Sequence, residues 1–216
     1  MSEKRITRRK YDSSRRLAQA AETRDRILLA AYRLFSKHGY SGTTMQAIAD
    51  EAAIAFQTVY ANFKNKRKML VELFNVSSAP AGEEHTPMPE RALPRAAGLE
   101  RDQRRQLQMF SQVVADNLAG VAPISEIMVD AARTERDIRK LLERLNSQRL
   151  EHMGLFVNQL TTNDLLRGDK DFATARDIVW ALASPEVFLM LTRDRGWPKE
   201  QYRLWLEEAL ACALLP

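Results

Sequence analysis

The residues whose types and spacing suggest a chemistry lie in the stretch TTMQAIADEAAIAFQTVYANFKNKRK, residues 43–68. Val59 and Phe63, four residues apart, predict the inward side of a short helix. Its outward positions carry small or hydrogen-bonding side chains: Gln57, Thr58, Ala61 and Asn62. Gln and Asn can pair with two edge atoms of adenine, and a Thr or Ala methyl can touch the thymine methyl. These residue types therefore predict a helix that reads nucleobase edges.

Two nearby residues are suited to the phosphates that flank such bases. Tyr60 combines an apolar ring with a hydroxyl tip, and Lys66 stands at the start of the next predicted helix. A cation there is unfavourable to the helix dipole, whereas phosphates bind well at helix N-termini. Phosphate contacts are therefore predicted at both positions. The alternative for the whole stretch is a structural helical hairpin with a polar outer face.

The helices of the first third must position these residues. Apolar side chains at helical spacing predict a helix over 23–38, which Gly39 ends. A second helix is predicted to begin at Thr43 or Thr44, with Thr43 and Gln46 as a capping box, and to end near Ala52. The third covers 56–62. Two short helices joined by about three residues form the helix-turn-helix layout, whose second helix fits the DNA major groove.

The rest of the chain is predicted to be helical around one break. Residues 1–22 are basic and lack apolar periodicity, which predicts a flexible arm, the alternative being an arm that is helical near its end. A fourth helix covers 66–77. Residues 79–98 contain four prolines and two glycines, which predicts a linker or long loop. Further helices are predicted over 99–118, 123–133, 135–161 and 171–192, with Pro185 kinking the last of these, and a final helix begins at Pro198.

No stretch of the sequence alternates apolar and polar residues in the manner of a strand, so the predicted fold is all-α. A three-helix, helix-turn-helix domain is predicted over 23–66. A larger helical domain for effector binding and dimerisation is predicted over 67–216.

Charge is distributed unevenly along the 216 residues. Residues 1–75 carry 15 Lys or Arg and 7 Asp or Glu, a net charge of +8, whereas residues 76–216 carry a net charge of −3. One end of the molecule is therefore expected to meet a polyanion, the alternative being a solvated basic tail. No apolar run approaches a membrane span, and the single cysteine, Cys212, excludes an internal disulfide.

Catalytic and metal-binding patterns are missing from the sequence. It has no GxSxG, P-loop or GxGxxG motif and no paired carboxylates beside a base. His38, His85 and His152 lie far apart, without the spacing of metal ligands. We therefore expect no metal, no cofactor and no enzymatic activity.

The same residues carry a family resemblance. His38-Gly39-Tyr40, Thr43-Thr44, Ile48-Ala49, Ala52, Thr58-Val59-Tyr60, Phe63 to Lys66 and Leu70 occur in an order that resembles the N-terminal domain of the tetracycline-repressor (TetR) family of bacterial transcriptional regulators. The resemblance covers about residues 23–74. It implies phosphate contacts by Thr44, Tyr60 and Lys66, and base or backbone contacts by Gln57, Thr58, Ala61 and Asn62. The chain departs from many members in having Ala55 and Phe56 just before the recognition helix.

The C-terminal part resembles the family through residues 175–188, Arg195-Gly196-Trp197 and Trp205-Leu206. In the family the last two helices pack against their copies in a second subunit. The last helix here is apolar on two sides, which predicts its own core on one side and a symmetry mate on the other. The homodimer contact is predicted to include Trp205, Leu206, Leu210 and Leu214. The alternative is complete burial inside one subunit.

Family members bind small molecules between their central helices, and a set of residues could line such a pocket: Phe110, Val114, Met128, His152, Met153, Phe156 and Trp180. Methionine adapts to varied shapes, so a small apolar effector is expected. The alternative is that these residues are ordinary core.

These inferences predict a cytoplasmic, nucleoid-associated bacterial regulator, a ligand-responsive repressor that binds a palindromic operator as a dimer. Arg8 and Arg9 of the basic arm are expected to add phosphate or minor-groove contacts. An architectural DNA-binding protein without an effector remains the alternative. A third class, an enzyme acting in the helical body, would need residues that the sequence does not offer.

Overall fold

The computed structural model describes residues 13–78, 92–164 and 166–216, and within them the chain is helical, with no strand. The predicted all-α class is confirmed. The helices are α1 Ser13–Gly42, α2 Met45–Ala52, α3 Phe56–Phe63, α4 Lys66–Ser77, α5 Ala92–Leu99, α6 Gln103–Ala131, α7 Arg136–Asn163, α8 Phe172–Leu182, α9 Pro185–Leu189 and α10 Lys199–Leu214. A short 3₁₀ turn precedes α8, and a π-helical turn, Met190–Asp194, follows α9.

The first helix is longer than the sequence predicts. It begins at Ser13 rather than near Thr23, because residues 15–22 are mostly good helix formers that extend it as an exposed rod. Gly39 breaks it as predicted, with φ 71° and ψ 167°. A Cβ at this position would lie 3.3 Å from a carboxylate oxygen of Asp130, so both the backbone angle and the close approach favour glycine.

Two predicted helix boundaries in the second half are wrong. The segments 99–118 and 123–133 form one helix, α6, with Pro123 inside it. Val121, Ala122 and Ile124 are buried around the proline, so packing holds the helix together despite the missing backbone donor. Conversely, 171–192 is not one kinked helix, because α8 ends at Leu182 and Pro185 occupies the first turn of α9.

The predicted linker at 79–98 contains the start of a helix, since α5 begins at Ala92. Residues 79–91 lie outside the described part of the chain. So do residues 1–12, which include Arg8 and Arg9 of the predicted arm.

Two clusters of buried side chains form the core. The first joins α1 to α4 with Ile124, Ile127 and Met128 of α6 and with Ile138 of α7. The second joins the first half of α6 and the end of α7 to α8, α9 and α10. The long helices α6 and α7 therefore contribute to both halves of the molecule.

The last helix differs from the prediction in the face that it buries. Leu206, Leu210 and Leu214 are fully buried within a single chain, packed in the second core cluster, so they cannot form the predicted contact with a second subunit. Trp205 is only half-buried, and Leu204 on the opposite side is 52% exposed. The predicted stripe is thus the inner face of α10, and its outer face is the one that a partner could reach.

Candidate nucleic-acid interface

The start of α2 is fixed by two adjacent threonines with different roles. Thr44 is the N-cap, and its hydroxyl accepts a hydrogen bond of 3.0 Å from the backbone N–H of Ala47. Thr43 is buried, and its hydroxyl donates to the carbonyl oxygen of Gly39 at 2.9 Å. The predicted capping box is therefore wrong, and Gln46 instead donates to Asp50 within the helix. Thr44 remains exposed at the N-terminus of α2, where a phosphate contact was predicted.

The turn between α2 and α3 uses a left-handed residue without glycine. Ala53 has φ 51° and ψ 48° and ends α2, and Lys64, with φ 58°, ends α3. The N-cap of α3 is Ala55, which supplies no side-chain hydrogen bond. The sequence offered no glycine signal at either end, although it correctly indicated two short helices.

Helix α3 presents the face that the sequence predicts. Val59 and Phe63 are buried, and the guanidinium of Arg24 lies 4.5 Å from the centroid of the Phe63 ring, beside its ion pair with Glu72 of α4. The predicted contact residues are all exposed: Gln57, Thr58, Tyr60, Ala61 and Asn62. The structure thus brings these five side chains together on one outward surface, to which Thr44 adds the start of α2.

Two contacts on this surface were not predicted. The Phe56 and Tyr60 rings stack with their centroids 6.2 Å apart at 23°, which supports the half-exposed Tyr60. Their i, i+4 spacing was the available signal. The amide nitrogen of Asn62 donates to the carbonyl oxygen of Thr58 at 2.8 Å, so the oxygen is the freer end of this side chain.

The side chain of Lys66, predicted to contact a phosphate, already has partners within the protein. Its ammonium donates to the carbonyl oxygen of Tyr40 at 2.7 Å and lies 4.4 Å from the centroid of the Tyr40 ring. Burial lowers the pKa of Lys66, and the nearby Glu135 opposes that shift. Lys66 therefore connects α4 to the end of α1, and the Tyr40 carbonyl uses one of its donors.

Tyr40 continues this connection into the second half of the molecule. Its backbone N–H donates to Asp130 of α6, and its hydroxyl donates to Glu135 before α7, both at 3.3 Å. Burial, followed by the Glu135 charge, raises the pKa of Tyr40 above its ordinary range. Arg67, next to Lys66, pairs with Asp137 of α7. The helix-turn-helix is thus joined to the α6–α7 junction by polar contacts as well as by the shared core.

A cavity of about 290 Å³ lies between α4, α6, α7 and the start of α9. Of the predicted ligand residues, His152 and Met153 line it. Phe110 and Phe156 do not, because their rings stack against each other, 3.8 Å between centroids, in the second core cluster with Val114. Met128 is buried in the first cluster, and Trp180 lies behind Arg149 rather than on the cavity wall.

Arg149 is a charged cavity residue that the sequence does not single out. It lies on α7 in a segment rich in charged residues, where an arginine is indistinguishable from a solvated one. Its guanidinium stacks on the Trp180 ring at 4.2 Å from the centroid and lines the cavity with Glu186 of α9. Only its tertiary surroundings reveal it.

Across residues 13–78, 92–164 and 166–216, no group of three or more side chains is arranged to hold a metal ion. In the same part of the chain, no helix has the length and apolar character needed to cross a membrane.

Known proteins match the first third of the chain most clearly. Residues 27–73 match the family model of bacterial regulatory proteins, tetR family. AcrR, an HTH-type transcriptional regulator of Shigella flexneri, is 38% identical over 65 residues, which are 30% of this chain and 30% of AcrR. The match therefore spans less than a third of the length of this curated relative.

Solved structures match nearly the whole chain at lower identity. NalD of Pseudomonas aeruginosa, described as the secondary repressor of the MexAB-OprM multidrug efflux pump, superposes with a TM-score of 0.65 at 23% identity, over 91% of this chain and 98% of NalD. FadR of Bacillus subtilis, solved in complex with stearoyl-CoA, gives a TM-score of 0.61 at 17% identity, over 86% and 96% of the two chains. These likenesses extend the shared fold to the helical body.

Proposed function

Because residues 27–73 match the family model of bacterial regulatory proteins, tetR family, we propose that this chain regulates transcription by binding double-stranded DNA. The observation that carries the proposal is the outward face of α3, where Gln57, Thr58 and Asn62 are exposed while Val59 and Phe63 anchor the helix from behind. A short, firmly anchored helix with small polar side chains outward fits the major groove.

The roles of the individual residues follow from their positions. Gln57, Thr58, Ala61 and Asn62 face base edges or the adjacent backbone. Tyr60, supported by Phe56, and Thr44 at the start of α2 meet phosphates on either side of the groove. Lys66 adds a phosphate contact only through the donors that the Tyr40 carbonyl does not use.

We place the contact between two copies of the chain on the outer face of α10 and the turn before it. Leu204 and Met190 are large apolar side chains that are about half exposed in the single chain, and Trp205, which follows Leu204, is half-buried. A two-fold axis through this face would cover them and present two copies of α3 to successive grooves of a palindromic operator. Burial of Leu206, Leu210 and Leu214 within each copy would give that face a rigid base.

The 290 Å³ cavity is the proposed effector site. Phe74 and Ser78 at the end of α4 line it, while Lys66 at the other end of α4 contacts Tyr40 beside the DNA-facing helices. A ligand that moves α4 would therefore change how α3 is held, to the extent that its affinity differs between the two states. The FadR complex with stearoyl-CoA supports a ligand in this fold, and NalD supports a repressor.

A second cavity, of about 570 Å³, lies between α1 and the ends of α6 and α9. Its charged groups already have partners, since Arg193 pairs with Glu126 at 2.6 Å and Asp130 accepts from Tyr40. The smaller cavity, with more apolar walls and Arg149, is therefore the better effector site.

The direct test selects genomic fragments with the purified chain and measures fluorescence anisotropy on the recovered duplexes. We expect a palindromic motif and at least about a thousandfold preference for it over random DNA. A matched pair of variants, Gln57→Ala on α3 and Gln108→Ala on the exposed side of α6, separates groove reading from general effects. Failure to retain any duplex at low ionic strength would overturn the proposal.

A further inference from the structure

The cavity between α4, α6, α7 and α9 has apolar walls and two charged residues. Leu118, Val121, Leu142, Leu145 and Met153 are among its apolar lining residues. Arg149 and Glu186 supply opposite charges. Such a mixture of apolar walls with a few polar groups is typical of small-molecule sites. The surroundings of the two charges indicate which charged ligands the cavity favours.

Arg149 is the more enclosed of the two and is only partly satisfied. Its Nη1 donates to the carbonyl oxygen of Trp180 at 2.8 Å, and its guanidinium lies over the Trp180 ring. Its Nε is buried without a hydrogen-bond partner, and in the described part of the chain Arg149 makes no ion pair. Leaving such a donor unsatisfied is costly, because the group has lost its water and gained nothing in return.

Electrostatics around Arg149 favours a negative partner. Burial lowers the pKa of Arg149, and the charge of Glu186 opposes that shift from outside the ion-pair distance. Glu186 itself lies in the first turn of α9 and is exposed to water. The group in need of a counter-charge is therefore the arginine and not the carboxylate.

We propose that the cavity binds an amphipathic organic anion, whose acidic group pairs with Arg149 while its apolar body lies against Leu118, Leu142 and Met153. A guanidinium recognises a carboxylate, sulfonate or phosphate through charge-assisted hydrogen bonds. The volume is at the lower end of known ligand pockets, which favours a small aromatic or medium-chain acid. This inference rests on the proposed effector site, and it adds an acidic group to the small apolar effector that the sequence predicts.

The test compares acids with neutral compounds of the same shape. Isothermal titration of the full chain is carried out with 2-naphthoate and octanoate, and with their alcohols, 2-naphthalenemethanol and 1-octanol. We expect at least one acid to bind about tenfold or more tightly than its alcohol, as one charge-assisted pair predicts. Octyltrimethylammonium serves as the cationic counterpart of octanoate.

Three variants locate the preference. Arg149→Gln should remove the preference for the acid, whereas Arg144→Gln, on the exposed side of the same helix, should retain it. Arg149→Lys keeps the positive charge. If it retains the preference for the acid, the loss in Arg149→Gln comes from the missing charge and not from disturbed packing around Trp180. Glu186→Gln should strengthen binding of the acid, because it removes a neighbouring negative charge, and should weaken any binding of octyltrimethylammonium.

The outcomes separate this inference from the proposed function. Equal binding of acid and alcohol, or tighter binding of the cation, would overturn the anion inference while leaving the cavity as an effector site. No binding of either acid would overturn it as well. Fluorescence anisotropy with DNA on the same preparations tests independently whether the protein binds DNA, as the proposed function requires.

Discussion

The ammonium nitrogen of Lys66 lies 2.7 Å from the backbone carbonyl oxygen of Tyr40 and 4.4 Å from the centroid of the Tyr40 ring. This pair joins the first residue of α4 to the residue that follows the Gly39 break in α1. Tyr40 in turn donates its backbone N–H to Asp130 and its hydroxyl to Glu135, so one residue connects the helix-turn-helix to the helical body.

Replacing Lys66 should therefore affect stability as well as DNA binding. Lys66→Ala removes a charged hydrogen bond and a cation–π contact and should lower the free energy of unfolding by roughly 1–2 kcal/mol. Urea titration followed by circular dichroism measures it. Lys68→Ala, exposed on the same helix, is the control and should stay within about 0.5 kcal/mol of wild type. Equal stability of the two variants would refute the structural role of Lys66.

Alkaline pH should destabilise the fold through two buried tyrosines. Burial raises the pKa of Tyr40 and of Tyr202 from the ordinary 10.0. The folded state then holds phenol protons that the unfolded state loses, so stability is complete below pH 10 and falls as pH rises beyond it. Thermal unfolding between neutral and strongly alkaline pH should show this fall.

The variant Tyr202→Phe should flatten that pH dependence, since it removes the ionisable group and only one hydrogen bond, to the Leu182 carbonyl. A profile that is the same for wild type and Tyr202→Phe would contradict the assignment to Tyr202.

Gln57 and Tyr60 should differ in how they affect DNA recognition. Gln57→Ala should relax one operator position by roughly 1–3 kcal/mol, because an amide reads a base edge. Tyr60→Phe should weaken all duplexes alike, because it loses a phosphate contact. Competition with singly substituted operators distinguishes the two patterns. A uniform loss for Gln57→Ala would show that Gln57 contacts backbone only.

The salt dependence of DNA affinity should reveal the phosphate contacts made by the basic arm. Each neutralised phosphate contributes about −0.9 to the slope of log affinity against log salt. The double variant Arg8→Gln/Arg9→Gln should therefore reduce the size of the slope by about 2. Arg104→Gln on the exposed side of α6 should not change it. An unchanged slope in the double variant would show that Arg8 and Arg9 neutralise no phosphate in the DNA complex.

Charge introduced on the two faces of α10 should have opposite consequences. Leu204→Arg, at a half-exposed site, should give folded monomers in sedimentation. Leu210→Arg places an unpaired charge where the side chain is fully buried and should unfold the protein, at a cost of several kcal/mol. A folded, dimeric Leu204→Arg variant would exclude this face from the interface.

The sequence was most informative where local pattern determines orientation. On α3, the two inward residues Val59 and Phe63 fix which side faces outward, so the exposed residues were predicted correctly. The family resemblance, carried by residues between His38 and Leu70, is confirmed by the family model over 27–73. The DNA contacts themselves and the division between domains stay predictions.

Other features depended on neighbours that the sequence does not reveal. Thr43 and Thr44 are equally good caps locally, and only the Gly39 carbonyl beneath Thr43 decides between them. Helix α10 has two apolar faces, and which one is core depends on where α6 and α8 lie. Arg149 differs from the solvated arginines of α7 because its guanidinium lies over the ring of Trp180, a residue of the next helix, α8.

The first core cluster has a consequence for dissecting the molecule. Ile124, Ile127 and Met128 of α6 and Ile138 of α7 complete the packing of α1 to α4. A fragment truncated after Ser77 would expose the apolar side chains that those residues cover, including Met69 and Leu70 of α4. The helix-turn-helix therefore depends for its core on side chains of α6 and α7. A fragment that lacks these helices would need polar substitutions at the apolar positions that they cover.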